Sequence, residues 1–231
     1  IGYEVADKVS TGHDAIEKAG TLGPDLILMD IMLKGAMDGI QAHEIIKEKY
    51  NLPVIFLTSF SDESTLSRAK LTQPFGYIIK PFEERELKSN IEIALYKHAV
   101  EKKLKASLEI QKLISEISEY LLGLPAGRID EGLNRAVQLI GEFSKEDHVY
   151  VYSYDRNSDS FQLHHEWYAP GIVHTGLNYR VISRQQIQGL LSRMVKHSYI
   201  YIPDIKTAHE EGLIDQSIAL KTSAKSMVVI S

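Results

Sequence analysis

Three short apolar runs, each followed by a polar residue, constrain the fold of this chain more than any other feature. The runs are residues 26–29, 54–57 and 77–79. Asp30 follows the first run, Thr58 the second and Lys80 the third. Near-continuous apolar runs of this length are typical of strands that are buried on both faces of a parallel sheet. Because the carboxyl ends of parallel strands lie at one edge of the sheet, we expect an acid, a hydroxyl and an ammonium group to meet there.

Segments with helical periodicity separate these runs. They are residues 11–20, 39–49 and 62–71, and a short strand candidate, residues 2–5, precedes them. Strands that alternate with helices of about ten residues predict βαβ units and a parallel sheet, which is an α/β fold. Asp38 stands directly before the second helical segment. We interpret it as a helix cap in preference to a group that acts on a phosphoryl ligand.

An aspartate at such a strand end can accept a phosphoryl group. A carboxylate is a competent nucleophile, and the transferred group spreads negative charge over its oxygens, so that cations and donors must surround it. Lys80 would supply a charge and Thr58 a hydroxyl donor. Mg²⁺, which prefers oxygen ligands, normally supplies much of the remaining stabilisation.

Four longer motifs resemble those of response-regulator receiver domains. They are Leu28–Leu33, Met37–Ile40, Pro53–Thr58 and Gly76–Phe82. The resemblance implies a flavodoxin-like, doubly wound parallel sheet over residues 1–97. It implies that Asp30 is the phosphoacceptor, with Thr58 and Lys80 as its catalytic companions. Thr58 and Tyr77 would be the switch residues, and the Lys80–Pro81 peptide bond would be cis. The implied partner is a histidine kinase or a histidine phosphotransfer domain.

The Mg²⁺ site that the resemblance implies is incomplete in this sequence. Its ligands would be Asp30 and the backbone carbonyl of Met32. Receiver domains also carry an acidic pair at the end of their first strand, and Asp30 lies too close to Ile1 for that pair to precede it. We therefore expect a sheet that lacks its first strand, in a fragment of a longer protein, and we expect weak binding of Mg²⁺ and slow phosphorylation.

A long segment without helix breakers, residues 83–122, follows the last strand. We predict a helical linker over residues 98–122. Within it Ile110, Ile114, Ile117 and Leu121 are spaced 4-3-4, as in a helix seam. The seam fits either packing of the helix on its own domain or pairing with a second copy in a homodimer, and the sequence leaves both open.

The second half, residues 107–231, resembles a GAF sensor domain. The matching motifs are residues 140–143, 165–172, 201–204 and 223–229. The pattern is α+β: an amphipathic helix over residues 129–140 precedes two alternating segments, 148–154 and 160–168, which predict an antiparallel hairpin around a polar turn. The chain has no cysteine, which argues against a thioether-linked bilin.

Two adjacent histidines in this half, His164 and His165, invite a metal or haem interpretation. Neighbouring residues on a strand face opposite sides of the sheet, so the two cannot chelate one metal together. We predict that His165 is a partly buried, hydrogen-bonded histidine and that Trp167 belongs to the core.

The sequence favours a phosphorelay receiver that signals through a helix to a GAF-like domain, in a multidomain response regulator or a hybrid histidine kinase. The alternative is a receiver-like interaction module that works without phosphorylation, beside a GAF-like domain that binds a small molecule or dimerises. A net charge of −5 gives no indication of nucleic-acid binding. No apolar stretch is long enough to span a membrane, and we expect a cytoplasmic protein. We find no kinase catalytic core, phosphate-binding glycine loop or nucleophile elbow.

Overall fold

The computed structural model of this chain describes residues 2–59, 68–172, 180–221 and 224–230. The chain divides into two compact units, Ile1–Glu109 and Ile110–Ser231. Residues 62–67 of the predicted third helix lie outside the described residues, and residues 68–71 are helical. Part of the last GAF-like motif, residues 222–223, also lies outside them.

The first unit is built on a three-stranded parallel sheet. Its strands are β1 (Ile27–Asp30), β2 (Val54–Thr58) and β3 (Gly76–Ile79), in the order β1-β2-β3. The helices are α1 (Gly12–Leu22), α2 (Gly39–Tyr50) and α3 (Glu84–Leu122), and α3 continues into the second unit. The predicted parallel α/β arrangement is confirmed.

Both faces of this sheet are covered by core side chains. Alternate residues of β2 point to opposite sides and pack in different clusters. Phe56 packs in a core cluster with Ala42 and Ile46 of α2, whereas Ile55 packs in a second cluster with Ile91 of α3. All of these side chains are buried. Burial of each large apolar side chain contributes roughly 1.5–3 kcal/mol, so the apolar runs hold the sheet in place from both sides.

Two local predictions in the first unit are wrong. Residues 2–5 form no strand and are exposed, because a strand needs a neighbouring backbone as its ladder partner and no described segment pairs with them. Helix α1 does not end at Gly20 but at Leu22, where Gly23 takes the left-handed conformation of a C-cap (φ 54°). Gly20 instead allows close packing, since a Cβ there would lie 2.6 Å from the hydroxyl of Tyr50.

The second unit contains two antiparallel sheets. One has the order β4-β5-β6 and the other pairs β7 with β8. The strands are β4 (His148–Asp155), β5 (Ser160–Tyr168), β6 (Val181–Ser183), β7 (Tyr199–Ile202) and β8 (Met227–Ile230). The helices are α4 (Ile129–Ser144), α5 (Gln188–Met194), α6 (Ile205–Glu210) and α7 (Gln216–Lys221). The predicted α+β pattern and the β4–β5 hairpin are confirmed.

Helix α4 packs on one face of the β4–β5 hairpin. A Cβ on Gly141 of α4 would lie 2.2 Å from the ring of Trp167, so the absent side chain is what lets the indole sit against the helix. His165 is buried, and its Nδ1 lies 2.9 Å from Oδ1 of Asn134. The prediction of a buried, hydrogen-bonded histidine is therefore confirmed.

The four residues of the proposed helix seam do not share one environment. Ile110 and Ile114 are exposed, whereas Ile117 and Leu121 are partly buried. Leu121 contacts Gly132 of α4, where a Cβ would lie 2.5 Å from its side chain. The C-terminal end of the seam, at Ile117 and Leu121, thus packs within its own unit. The four residues therefore do not form a continuous exposed seam from residue 110 to residue 121.

Over the described ranges, no helix combines the length and the apolar character that crossing a bilayer requires.

Candidate functional site at the carboxyl edge of the parallel sheet

Asp30 and Lys80 form an ion pair at the carboxyl edge of the first sheet. The Lys80 ammonium donates a short hydrogen bond to Oδ2 of Asp30. The other carboxylate oxygen, Oδ1, accepts the backbone N–H of Met32 at 3.0 Å. The Asp30 side chain is 38% exposed and that of Lys80 is 40% exposed. A reagent from solution can therefore reach a carboxylate that already has a cation beside it.

The strand order explains why residues fifty positions apart meet. β1 and β3 flank β2, so the Asp30–Lys80 pair spans the end of β2, where Thr58 is the last residue. Backbone hydrogen bonds extend the ladders past the strand ends: Lys80 N–H donates to the Thr58 carbonyl at 2.7 Å, and Ile31 N–H donates to the Leu57 carbonyl at 3.4 Å. These bonds fix the start of each loop and thus the position of each functional side chain.

Thr58 lies on the strand between Asp30 and Lys80, but its hydroxyl is turned elsewhere. Oγ1 donates to the carbonyl of Ser59 at 3.3 Å rather than to either member of the ion pair. The structure therefore brings Asp30 and Lys80 into contact and places Thr58 at the same edge without a side-chain bond to them. Within the part of the chain that the structure describes, one hydrogen bond, to a loop carbonyl, holds this hydroxyl, and a single bond of this kind can be exchanged for another at small cost.

Tyr77 points into the core next to the site. It is half-buried and packs on the first core cluster, with its ring centroid 6.0 Å from that of Phe56. Among the described residues its buried hydroxyl has no hydrogen-bond partner. Burial raises the pKa of Tyr77. A buried hydroxyl without a hydrogen-bond partner costs free energy. This cost favours another rotamer of Tyr77 whenever one becomes accessible in which the hydroxyl can form a hydrogen bond.

The loop after Asp30 is anchored by the start of α2. Gly39 N–H donates to the Ile31 carbonyl at 2.9 Å, and a Cβ on Gly39 would lie 2.1 Å from the backbone oxygen of Asp30. The helical periodicity of residues 39–49 identifies Gly39 as a helix start but does not predict this contact. The sequence does carry an indication of the contact. Glycine is a poor helix former, so helical propensity does not explain why it stands at the first position of α2.

Asp38 acts as the N-cap of α2, as predicted. Its carboxylate accepts the N–H of Gln41 at 2.8 Å, and the Gln41 side chain accepts the Asp38 N–H in return, which completes a capping box. Arg68 donates to the second carboxylate oxygen at 2.8 Å. Partial burial acts to raise the pKa of Asp38, but the Gln41 N–H and the Arg68 guanidinium outweigh it, so that the pKa lies below its ordinary value.

Two further expectations from the resemblance concern the backbone and the metal. The Lys80–Pro81 peptide bond is cis. Over the described ranges, no cluster of three or more histidine, aspartate or glutamate side chains could hold a metal ion. Asp30 and the Met32 carbonyl alone are a poor match for Mg²⁺, which demands near-octahedral oxygen coordination. The described residues therefore do not make a Mg²⁺ site by themselves.

Comparison with known proteins points to the first unit. Residues 1–92 match the family described as response regulator receiver domain. The transcriptional regulatory protein PdtaR of Mycobacterium tuberculosis is 35% identical over 94 residues, which cover 41% of this chain and 45% of that protein. The response regulator protein VraR of Staphylococcus saprophyticus is 41% identical over 78 residues, covering 33% of this chain and 37% of that protein. The chain thus spans less than half the length of these curated relatives.

A solved structure shows the same likeness. The signal receiver domain of a modulated diguanylate cyclase from Desulfovibrio desulfuricans has 42% sequence identity, with a TM-score of 0.42. The match covers 43% of this chain and 79% of that one.

Proposed function

Since residues 1–92 form a response regulator receiver domain of the kind found in two-component signalling, we propose that Asp30 accepts a phosphoryl group from a histidine kinase or a histidine phosphotransfer domain. The observation that carries the proposal is the contact between the Asp30 carboxylate and the Lys80 ammonium at an exposed sheet edge. A carboxylate in this setting is an accessible nucleophile with a cation beside it.

The transfer uses each of the neighbouring groups. One carboxylate oxygen of Asp30 attacks phosphorus, the bond from phosphorus to the donor nitrogen breaks, and that nitrogen keeps the electron pair and takes a proton. Lys80 then contacts the phosphoryl oxygens, whose negative charge grows in the loose transition state. The Met32 N–H holds the other carboxylate oxygen and so fixes the orientation of the nucleophile.

Phosphorylation would act on Thr58 and Tyr77 through charge. The new group carries about two negative charges and several acceptor oxygens. The Thr58 hydroxyl would leave the Ser59 carbonyl for a phosphoryl oxygen, which would pull the end of β2 towards Asp30. The Tyr77 hydroxyl, buried without a described partner, would follow into the space that the Thr58 side chain vacates.

Receiver domains in general bind Mg²⁺, which neutralises negative charge on the phosphoryl oxygens. In this chain the Asp30 carboxylate and the backbone carbonyl of Met32 would hold the ion. Because the described residues do not complete the site, we expect phosphorylation of this chain to be slow.

We further propose that the second half is a GAF-like sensor domain over residues 107–231, with residues 98–122 as the linker and residues 1–97 as the receiver. The support is the α+β layout, in which α4 packs on an antiparallel sheet, and the uninterrupted helix α3. The phosphorylation state would reach the second half through α3, within a multidomain response regulator or a hybrid histidine kinase. A cytoplasmic location remains a prediction.

Transfer of radioactive phosphate from a phosphorylated histidine phosphotransfer domain tests the proposal. At millimolar Mg²⁺ we expect slow labelling of the chain, with the alkali lability of an acyl phosphate, and no labelling of Asp30→Asn. The matched control is Asp38→Asn, because asparagine also caps helices well and this variant should label like wild type.

Two results would contradict the proposal. Labelling of Asp30→Asn at the wild-type rate would place the acceptor elsewhere. No labelling of the wild-type chain at saturating donor would favour the alternative, an interaction module that works without phosphorylation.

A further inference from the structure

One face of the β7–β8 sheet in the second unit carries exposed apolar and aromatic side chains. The two strands pair antiparallel, with Tyr199 opposite Ile230 and Tyr201 opposite Val228. Residues directly opposite each other lie on the same face of a sheet, so these four side chains share one face. Their exposed fractions are 64% for Tyr199, 59% for Tyr201, 49% for Val228 and 75% for Ile230. We call these four residues the β7–β8 face.

The opposite face of the same two strands is already used by the fold. Ile200 and Ile202 are buried in a core cluster with Leu190 of α5 and Ile205 of α6, and Val229 of β8 packs against that cluster. Both strands therefore carry apolar or aromatic side chains on both faces. A strand with one face in water alternates apolar and polar residues, whereas continuous apolar runs are typical of strands that are covered on both sides. The β7–β8 face thus has the composition of a surface that another element covers.

The charged groups around this face favour an acidic partner. Among the described residues within three positions of the strand ends, they are Lys196, Asp204 and Lys225, together with the imidazole of His197. The one carboxylate, that of Asp204, is the N-cap of α6 and accepts the backbone N–H of Lys206 at 2.8 Å. Cations therefore outnumber carboxylates at the rim of the β7–β8 face.

A basic groove adjoins the face where β7 begins. Its volume is about 560 Å³, and the residues that line it are Arg193, Lys196, His197, Ser198, Tyr199 and Ile200. None of these six residues is acidic. Glu211 balances the charge of Arg193, which donates to it at 3.1 Å, so the net positive charge of the groove comes from Lys196. Tyr199 belongs both to the groove and to the β7–β8 face, and the basic and apolar surfaces are therefore continuous.

We propose that the β7–β8 face binds an amphipathic helix of a partner protein, with acidic residues in the first turn of that helix placed in the basic groove. A helix is an element that commonly covers the face of a sheet, and one with an apolar stripe matches the four side chains. Acidic residues are favoured in the first turn of a helix, so its charge lies at one end, as the charge of the groove does. Complementary charge then fixes the direction of the helix. The proposal does not depend on phosphorylation of Asp30.

Two synthetic peptides of about 18 residues, long enough to form a helix, test the chemistry of the partner. Both carry the same leucine stripe at i, i+3, i+4 and i+7, but one has glutamates in its first turn and the other has lysines there. Fluorescence anisotropy with the full chain should show at least tenfold tighter binding of the acidic peptide, and added salt should weaken it. Equal affinities, or no binding at several hundred micromolar, would overturn the proposal.

Three variants of the full chain test the surface. Tyr201→Glu should weaken binding of the acidic peptide at least tenfold. Tyr3→Glu is the matched control, because it makes the same change at an exposed tyrosine of the first unit, and it should bind like wild type. Lys196→Glu should reverse the preference, so that the basic peptide binds more tightly. Circular dichroism checks that each variant is folded. An unchanged preference in Lys196→Glu, or equal loss in Tyr201→Glu and Tyr3→Glu, would contradict the proposal.

Two other occupants of the face would give different results. A second copy of the chain would make the wild type dimerise in sedimentation equilibrium, and Tyr201→Glu would prevent it. A membrane surface would make the wild type sediment with vesicles of phosphatidylglycerol and phosphatidylcholine, again with loss in Tyr201→Glu. We expect neither, and either result would replace the helix as the occupant.

Discussion

His43 shows how a single buried side chain ties the first unit to pH. It lies on α2, fully buried, with its ring edge on Phe56 at a centroid distance of 5.3 Å. Its Nδ1 lies 2.9 Å from Oγ1 of Thr72, whose own hydroxyl donates to the Ala69 carbonyl. The Thr72 hydroxyl oxygen therefore accepts a hydrogen bond from Nδ1 of His43. In the neutral imidazole the proton is then on Nδ1, and Nε2 is unprotonated. Burial, helped by the charge of Lys47, lowers the pKa of His43 to about 4.

We predict that His43 makes the first unit lose stability as the pH falls from about 7 towards 4. The unfolded chain binds the proton near pH 6.5 and the folded chain only near pH 4, so between these values protons favour unfolding. The loss is on the order of 3 kcal/mol at pH 4. Urea unfolding at pH 7.5 and at pH 5, monitored by hydrogen exchange in residues 2–59, measures this loss of stability. His43→Gln should flatten the profile; an equally steep profile in that variant would assign the effect to other groups.

The junction of β1 and α2 depends on the absence of a side chain at Gly39. A Cβ there would meet the backbone oxygen of Asp30 at 2.1 Å, and backbone yields less readily than a flexible side chain. We predict that Gly39→Ala destabilises the chain by about 1–3 kcal/mol, the usual cost of overpacking, and also slows labelling of Asp30, whose position it disturbs. The measurements are the urea midpoint and the phosphoryl-transfer rate.

Gly127→Ala is the control for this substitution. No atom lies within 4 Å of a Cβ at that position, so its stability should stay within about 0.5 kcal/mol of wild type. If Gly39→Ala were as harmless as this control, the close contact at the end of β1 would not constrain the loop.

Strands and helices with strong internal patterns were predictable, and those that depend on a distant partner were not. The runs that became β1, β2 and β3 and the breaker-free helix α3 each follow from local hydrophobicity and composition. Residues 2–5 have a strand-like composition but no ladder partner among the described residues. The true end of α1 depends on the left-handed backbone of Gly23, and the sequence offered Gly20 as an equally good stop.

The site itself was predictable to the level of its charged pair. Three strand ends in parallel order place Asp30 and Lys80 at one edge, and the ion pair between them follows. The direction of the Thr58 hydroxyl did not follow, because a rotamer depends on local acceptors such as the Ser59 carbonyl.

Mg²⁺ binding should report how much of the metal site this chain carries. Over the described ranges, no three acidic or histidine side chains lie together as a metal site would require. The ligands that the receiver resemblance implies are the Asp30 carboxylate and the Met32 carbonyl, and the carboxylate is already paired with Lys80. Mg²⁺ gives up its water reluctantly and needs compensation from charged ligands. We predict binding no tighter than about millimolar in an NMR titration of the full chain.

Asp30→Asn should abolish the remaining weak binding, since it removes the single carboxylate of the set. Asp38→Asn should leave it unchanged, because that carboxylate caps α2 and pairs with Arg68. Micromolar binding by wild type would mean that further carboxylates reach this edge, and the slow phosphorylation expected here would then have no physical basis. Weak binding that is lost with Asp30 would instead show that the metal and the phosphoryl group depend on the same carboxylate.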